Sequence, residues 1–122
     1  MRAKMKRILM WFLLLSLLMA ESPQQIANIG NFTLESGKVI NSCQIGYRII
    51  GTVNSDSSNI ILYPTWFGGA SEHIISLIEK HRVIDPEKYL IIAIDALGNG
   101  ISTSPSNYTG KLPVFSIKDM VN

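Results

Sequence analysis

The side chains that could do covalent chemistry in this sequence are few, and their order limits what they could do. One arrangement for acyl transfer by a serine puts the nucleophile on a sharp strand-to-helix turn, Gly-x-Ser-x-Gly, with an acid and a histidine later in the chain. No such pentapeptide occurs. The nearest string is Gly100-Ile101-Ser102-Thr103-Ser104, which lacks the final glycine and runs into a proline-containing loop. His73 and His81 both precede it and fall in a helical pattern, so they read as helix-surface or packing residues. Asp95 ends an apolar run. It reads as a carboxylate that organises the next loop by accepting N–H bonds around Gly98 and Gly100. Cys43 is the single cysteine, so no internal disulfide can form. It stands in a strand-like stretch without a neighbouring histidine and reads as a small core residue. No His, Cys, Asp and Glu cluster has metal spacing. Gly98-x-Gly100 lacks the third glycine of a dinucleotide fingerprint and opens no helix. No metal and no cofactor are expected.

One stretch remains that could act through its backbone: Pro64-Thr65-Trp66-Phe67-Gly68-Gly69. It lies between an apolar run, Asn59 to Leu62, and a helical pattern that begins near Ser71. Glycines allow a sharp turn and close approach of another group. The helix that follows points its first amides at the same space. Such a loop can present N–H donors to a developing negative oxygen. The bland alternative is a tight strand–helix turn with buried aromatics.

The elements that would hold this loop follow from periodicity. "NFTLESGKVI" alternates through Phe32 and Leu34 and turns at Ser36-Gly37. "CQIGYRIIGTVN" alternates through Ile45, Tyr47 and Ile49. Together they predict a β-hairpin. "NIILYP" and "KYLIIAIDA" are nearly continuous apolar runs, the pattern of strands covered on both faces. Between them Ile74, Ile75, Leu77 and Ile78 recur at helical spacing, giving a βαβ unit. A long loop rich in Gly, Ser and Pro follows Asp95, and long loops in compact domains are often functional. Ser116 and Asp119 then resemble a capping box, which predicts a helix starting just before the chain stops at Asn122.

Targeting and charge set the compartment. Arg2, Lys4, Lys6 and Arg7 precede an apolar stretch from Ile8 to Leu18, with Ala20 as a small residue before a polar run. Residues 1–20 read as a secretory signal peptide, so the protein is expected to be secreted or periplasmic. The alternative is an uncleaved membrane anchor formed by residues 8–19. Residues 21–30 read as a linker and residues 31–122 as a partial domain. Four of the 11 basic residues and none of the nine acidic ones lie in residues 1–20. The rest therefore carries seven basic against nine acidic residues, a net charge of −2. No basic stripe remains for nucleic acid.

The ordered set "TLESGKVI…IGYRIIGTVNSDSSNIILYPTWFGG" and "DPEKYLIIAIDALGNGISTSPSN" resembles the amino-terminal part of the homoserine O-acetyltransferase family, within the α/β-hydrolase superfamily. The likeness runs from about Phe32 to Asn122. It implies an α/β fold: the amino-terminal portion of an α/β-hydrolase, with a β-hairpin and then a βαβ unit of a mostly parallel sheet, incomplete. It also implies that the loop at Thr65 to Gly68 gives the first oxyanion donor. Family members commonly carry His-Ala-Leu-Thr-Gly there. The departure to Pro-Thr-Trp-Phe-Gly leaves the donor open between the backbone N–H groups of Trp66 and Phe67. The same correspondence makes Thr65, Gly68, Gly69, Asp95, Gly98, Asn99, Gly100 and Ser102 site-rimming, and places the catalytic histidine much later than this chain reaches.

The resemblance implies a parent that cleaves or transfers acyl groups through a serine, histidine and aspartate, acting on a small-molecule ester or acyl donor. This chain, lacking the triad, is expected to be inactive alone. Export argues for ester hydrolysis over transfer, because acetyl-CoA and homoserine are cytoplasmic. The alternative is a non-catalytic binding module, or half of a split enzyme completed by a second chain.

Overall fold

The structure, a computed structural model, describes residues 22–66 and 68–121. The signal-peptide reading for residues 1–20 and the donor candidate Phe67 lie outside the described residues. The four described strands form one mixed sheet in the order β1-β2-β4-β3. β1 (Gln25–Thr33) and β2 (Val39–Ile50) make the expected antiparallel hairpin. β1 begins at Gln25, inside the stretch read as a linker. Its first residues, Gln25, Ile26 and Ala27, pair with Tyr47, Gly46 and Ile45. The run "QIANIGN" shows no clean apolar alternation because β1 is an edge strand with mostly exposed side chains. The ladder is irregular around Gly30, where the backbone takes φ +76° and Asn28 Oδ1 accepts the Gly30 N–H.

β3 (Ile60–Pro64), α1 (Ser71–His81) and β4 (Leu90–Ile94) are the βαβ unit. β3 and β4 run parallel in register, so Pro64 and Ile94 end level with each other. β4 also pairs antiparallel with β2, so β3–β4 is the single parallel pair among the described strands. Ile74, Ile75 and Ile78 of α1 pack on Ile91 and Ala93 of β4, with Ile50, Ile61 and Tyr63 around them. Burying each isoleucine fully is worth roughly 1.5–3 kcal/mol. This seam fixes α1, and with it the loop between β3 and α1. The helix ends at Arg82, in the left-handed region at φ 46°, whose N–H bonds the Ile78 carbonyl. Ion pairs from Arg82 to Asp85 and Glu87 then fasten the return to β4.

The opposite face of the sheet is less covered. Leu62 on β3 is 63% exposed and Ile60 is also exposed, while Ile92 and Ile94 are half-buried. A second small core closes over the hairpin. Leu34, Ile40 and Cys43 are buried under Leu97, Tyr108, Leu112 and Phe115 from the long loop after β4. Burial pushes the Cys43 thiol above its usual range, opposed by a hydrogen bond with Thr103. At the carboxyl end the expected helix is a single 3-10 turn, Lys118–Met120. The reciprocal Ser116–Asp119 bonds of a capping box are present. Asp119 also accepts the Glu35 N–H at 2.7 Å, tying the turn to the hairpin. The Glu35 and Ser116 N–H groups hold its carboxyl below the ordinary value.

Candidate active-site arch

Thr65 and Trp66 on one side, and Gly68 to Ser71 on the other, form the two sides of an arch over the level ends of β3 and β4. At its first foot, the Thr65 N–H donates to the Ile94 carbonyl at 2.9 Å. Thr65 Oγ1 accepts the Ala96 N–H at 3.0 Å. At its second foot, Asn99 Nδ2 donates to the Gly69 carbonyl at 3.2 Å. The Ser71 N–H, in the first turn of α1, donates to Asp95 Oδ1 at 2.7 Å. Between the feet, the Gly69 N–H donates to the Trp66 carbonyl at 2.9 Å, with Gly68 at φ +74°. Side chains are disfavoured at that φ, which accounts for a glycine there.

The Trp66 indole lies across Gly69. A Cβ at Gly69 would stand 2.9 Å from the ring, so only glycine fits without moving it. The indole then stacks on the His73 ring, with centroids 5.9 Å apart and planes at 23°. His73 is thereby held, and its Nδ1 accepts the Ala70 N–H at 3.0 Å. This bond satisfies one of the free amides at the helix start. An open groove of about 460 Å³ runs from Trp66 and Gly68 past His73 and Leu77 to Lys80. The Trp66 N–H has no hydrogen-bond partner among the described residues. The Trp66 residue is 49% exposed and lines that groove.

Asp95 corrects the sequence reading. Its carboxylate does not bond the amides of Gly98 or Gly100. The Gly98 N–H donates to the Thr103 carbonyl and the Gly100 N–H to Ser104 Oγ. Asp95 points instead into the start of α1, where it is fully buried. Four donors meet it: the Ser71 N–H, Ser71 Oγ at 2.8 Å, Gln24 Nε2 at 2.9 Å and Asn99 Nδ2 at 3.0 Å. The positive end of the helix favours a carboxylate there. Gly46 makes room for it, since a Cβ at Gly46 would lie 2.7 Å from Asp95 Oδ2.

Ser102 is fully buried, not rimming. Its hydroxyl donates to the Asp95 carbonyl at 2.6 Å and accepts the Gly46 N–H at 2.9 Å. Asn99 Oδ1 accepts the Ile101 and Ser102 N–H groups while its Nδ2 reaches the arch. The structure therefore brings Thr65, Trp66, Gly69, Asp95 and Asn99 together. It leaves His81 exposed on the helix. Sequence reasoning missed Gln24 and Ser71. A strand-interior glycine such as Gly46 is the available signal that another group approaches closely there.

No family-wide sequence profile matches the chain. Individual proteins do. An ethyl acetate hydrolase of Pseudomonas veronii is 41% identical over 91 residues, covering 74% of this chain and 26% of that protein. A homoserine O-acetyltransferase of Zymomonas mobilis is 34% identical over 113 residues, covering 75% of this chain and 30% of that protein. The solved structure of an acetylester hydrolase from Corynebacterium glutamicum superposes with a TM-score of 0.73 at 39% identity, covering 81% of this chain. The chain belongs to the α/β-hydrolase superfamily. Its fold is that of the amino-terminal part of these α/β-hydrolases, and it spans 26–30% of their lengths. In this chain β3, at the edge of the described sheet, leads into the arch.

Proposed function

We propose that the chain provides one half of the oxyanion hole of a serine-dependent ester hydrolase, with the Trp66 N–H as donor. The observation that carries this reading is a Trp66 N–H without a hydrogen-bond partner among the described residues, on an arch pinned at both feet. The serine Oγ attacks the ester carbonyl as the histidine takes its proton, the carbonyl electrons move to oxygen, and the Trp66 N–H stabilises that charge. Collapse breaks the ester C–O bond, the histidine returns the proton to the leaving alcohol, and water, deprotonated by the same histidine, then cleaves the acyl-enzyme. The serine and histidine come from polypeptide beyond the described residues or from a second chain, and this chain alone turns over no ester. Ser102 is not that nucleophile, because its hydroxyl is buried and bonded. Hydrolysis is favoured over transfer by the higher identity to an ethyl acetate hydrolase than to a homoserine O-acetyltransferase. An exported location, through residues 1–20, agrees with that choice; anchoring by residues 8–19 would place the same site at a membrane surface. The substrate is a small ester.

Completion by a second polypeptide or by further residues of the same chain would meet the same surface, since β3 is at the edge of the described sheet with Leu62 and Ile60 exposed. A graft tests the main reading. Residues 22–121 replace the matching segment of the Pseudomonas veronii hydrolase, and acetate release from ethyl acetate is followed. The graft is expected to turn over. Trp66→Pro, which deletes the N–H, is expected to lower kcat about 10²–10³-fold. A graft whose kcat is indifferent to Trp66→Pro contradicts the assignment.

A further inference from the structure

The Trp66 indole packs on Gly69 and His73, and the backbone on either side of it is held by bonds from outside the arch. The loop after β4 reaches it at both feet. Thr65 Oγ1 takes the Ala96 N–H at 3.0 Å, and Asn99 Nδ2 bridges the Gly69 carbonyl at 3.2 Å and Asp95 Oδ1 at 3.0 Å. Asn99 is itself fixed, because its Oδ1 holds the Ile101 and Ser102 N–H groups at 2.9 and 3.1 Å. Ser102 in turn is locked to β2 through Gly46. A chain of bonds therefore runs from the buried sheet to the carbonyl of Gly69, whose N–H closes the turn on Trp66. We infer that Thr65 and Asn99 are positioning residues, which set the aim of the Trp66 N–H through the two feet of the arch. Neither side chain needs to touch substrate. An oxyanion donor is useful only within about 2.7–3.1 Å of the charge it stabilises, so a loosened foot is felt in the transition state. The inference deepens the oxyanion reading and rests on it for its effect on rate.

Two changes of similar shape loosen the feet. Thr65→Val deletes the oxygen that accepts the Ala96 N–H, and Thr65→Ser restores an oxygen there. Asn99→Leu loses the donor to Gly69 and Asp95 without setting a second carboxylate beside Asp95, and Asn99→Asp, which keeps the acceptor for Ile101 and Ser102, is read beside it. In the 122-residue chain, amide exchange is read at Gly69, and the His73 ring protons report the Trp66 stack. The Gly69 amide is expected to exchange about 10-fold faster or more in Thr65→Val, Asn99→Leu and Asn99→Asp, with Ile91 in β4 unchanged. Thr65→Ser is expected to return both signals to the starting values. Parallel changes at Gly69 and Ile91 would mean a fold-wide stability role and would overturn the inference. Should one variant not fold, the other decides the same comparison.

In the graft, each variant is expected to lower kcat about 10-fold or more with KM within roughly two-fold, since the interaction is made only in the transition state. Loosened Gly69 with unchanged kcat in an active graft overturns positioning while leaving the oxyanion reading intact. An inactive parent graft overturns the oxyanion reading, while the Gly69 and His73 signals still decide what holds the arch.

Discussion

Asp95→Asn removes one negative charge and leaves the side-chain shape almost unchanged. The carboxylate now accepts from Ser71 N–H, Ser71 Oγ, Gln24 Nε2 and Asn99 Nδ2 in a fully buried site. In the amide, Oδ1 can still accept from Ser71 N–H and Asn99. Those two bonds fall from charged to neutral strength, about 1 kcal/mol each. Losing the negative charge beside the first turn of α1 removes about 0.3–2 kcal/mol more. The new NH₂ group faces Gln24 Nε2, donor against donor, and Gln24 must give up its bond. The Ser71 hydroxyl keeps Gln24 Oε1 only if that amide stays in place. The sum is about 3 kcal/mol of lost stability, a drop in Tm of roughly 10–20 °C for a domain this size. Urea unfolding followed by far-UV circular dichroism measures it, with the slope unchanged between the two proteins. A loss below about 1 kcal/mol would refute the account, because it would mean that the four bonds do no more than offset the cost of burying the carboxylate.

Other consequences are as concrete. Ser102→Ala strands the buried Gly46 N–H and is expected to cost about 1–3 kcal/mol. A fluorophosphonate probe should leave Ser102 unlabelled in the folded protein, as read by peptide mass analysis. Cys43, buried with a raised thiol, should react with a thiol reagent at pH 8 only after denaturant is added, and rapid labelling of the native chain would contradict its place in the core. Asp119 is held below the ordinary value of 3.8, so its bonds to Glu35 and Ser116 contribute stability above that pH and lose it as pH falls through the lower folded value. Exchange at the Glu35 and Ser116 amides should accelerate in that acid window, and in Asp119→Asn the acceleration should disappear. Leu62→Lys on the exposed edge strand should shift stability by no more than about 0.5 kcal/mol while lowering light scattering of the isolated chain.

The sequence made the scaffold readable wherever apolar spacing was strong. Ile74, Ile75 and Ile78 marked α1, and the unbroken runs at Ile60 and Leu90 marked two strands, but the expected cover on both faces fails at β3, where Ile60 and Leu62 are exposed among the described residues. β1 was harder, because Gln25 to Asn31 sits at a sheet edge and owes its pairing to Tyr47, Gly46 and Ile45, not to its own pattern. The arch was legible as a loop from its glycines, while Thr65, Asp95 and Asn99 were tied to it only through the family resemblance. The partners were not. Asp95 was expected to serve the loop that follows it, yet it serves a helix start 24 residues earlier. Only the parallel register, which sets Pro64 beside Ile94, brings those ends together. A bond set by tertiary register leaves no local spacing to read. The same holds for Gln24, which reaches Asp95 across 71 residues.

The claim that the Trp66 N–H stabilises an ester's developing oxyanion has a direct test. In the ¹⁵N-labelled graft, a methylphosphonate ester forms a tetrahedral adduct with the nucleophilic serine. The Trp66 amide resonance is followed before and after. A large downfield proton shift at Trp66 on adduct formation is the predicted result. An unmoved Trp66 amide, in a graft whose serine has been fully modified, would contradict the claim.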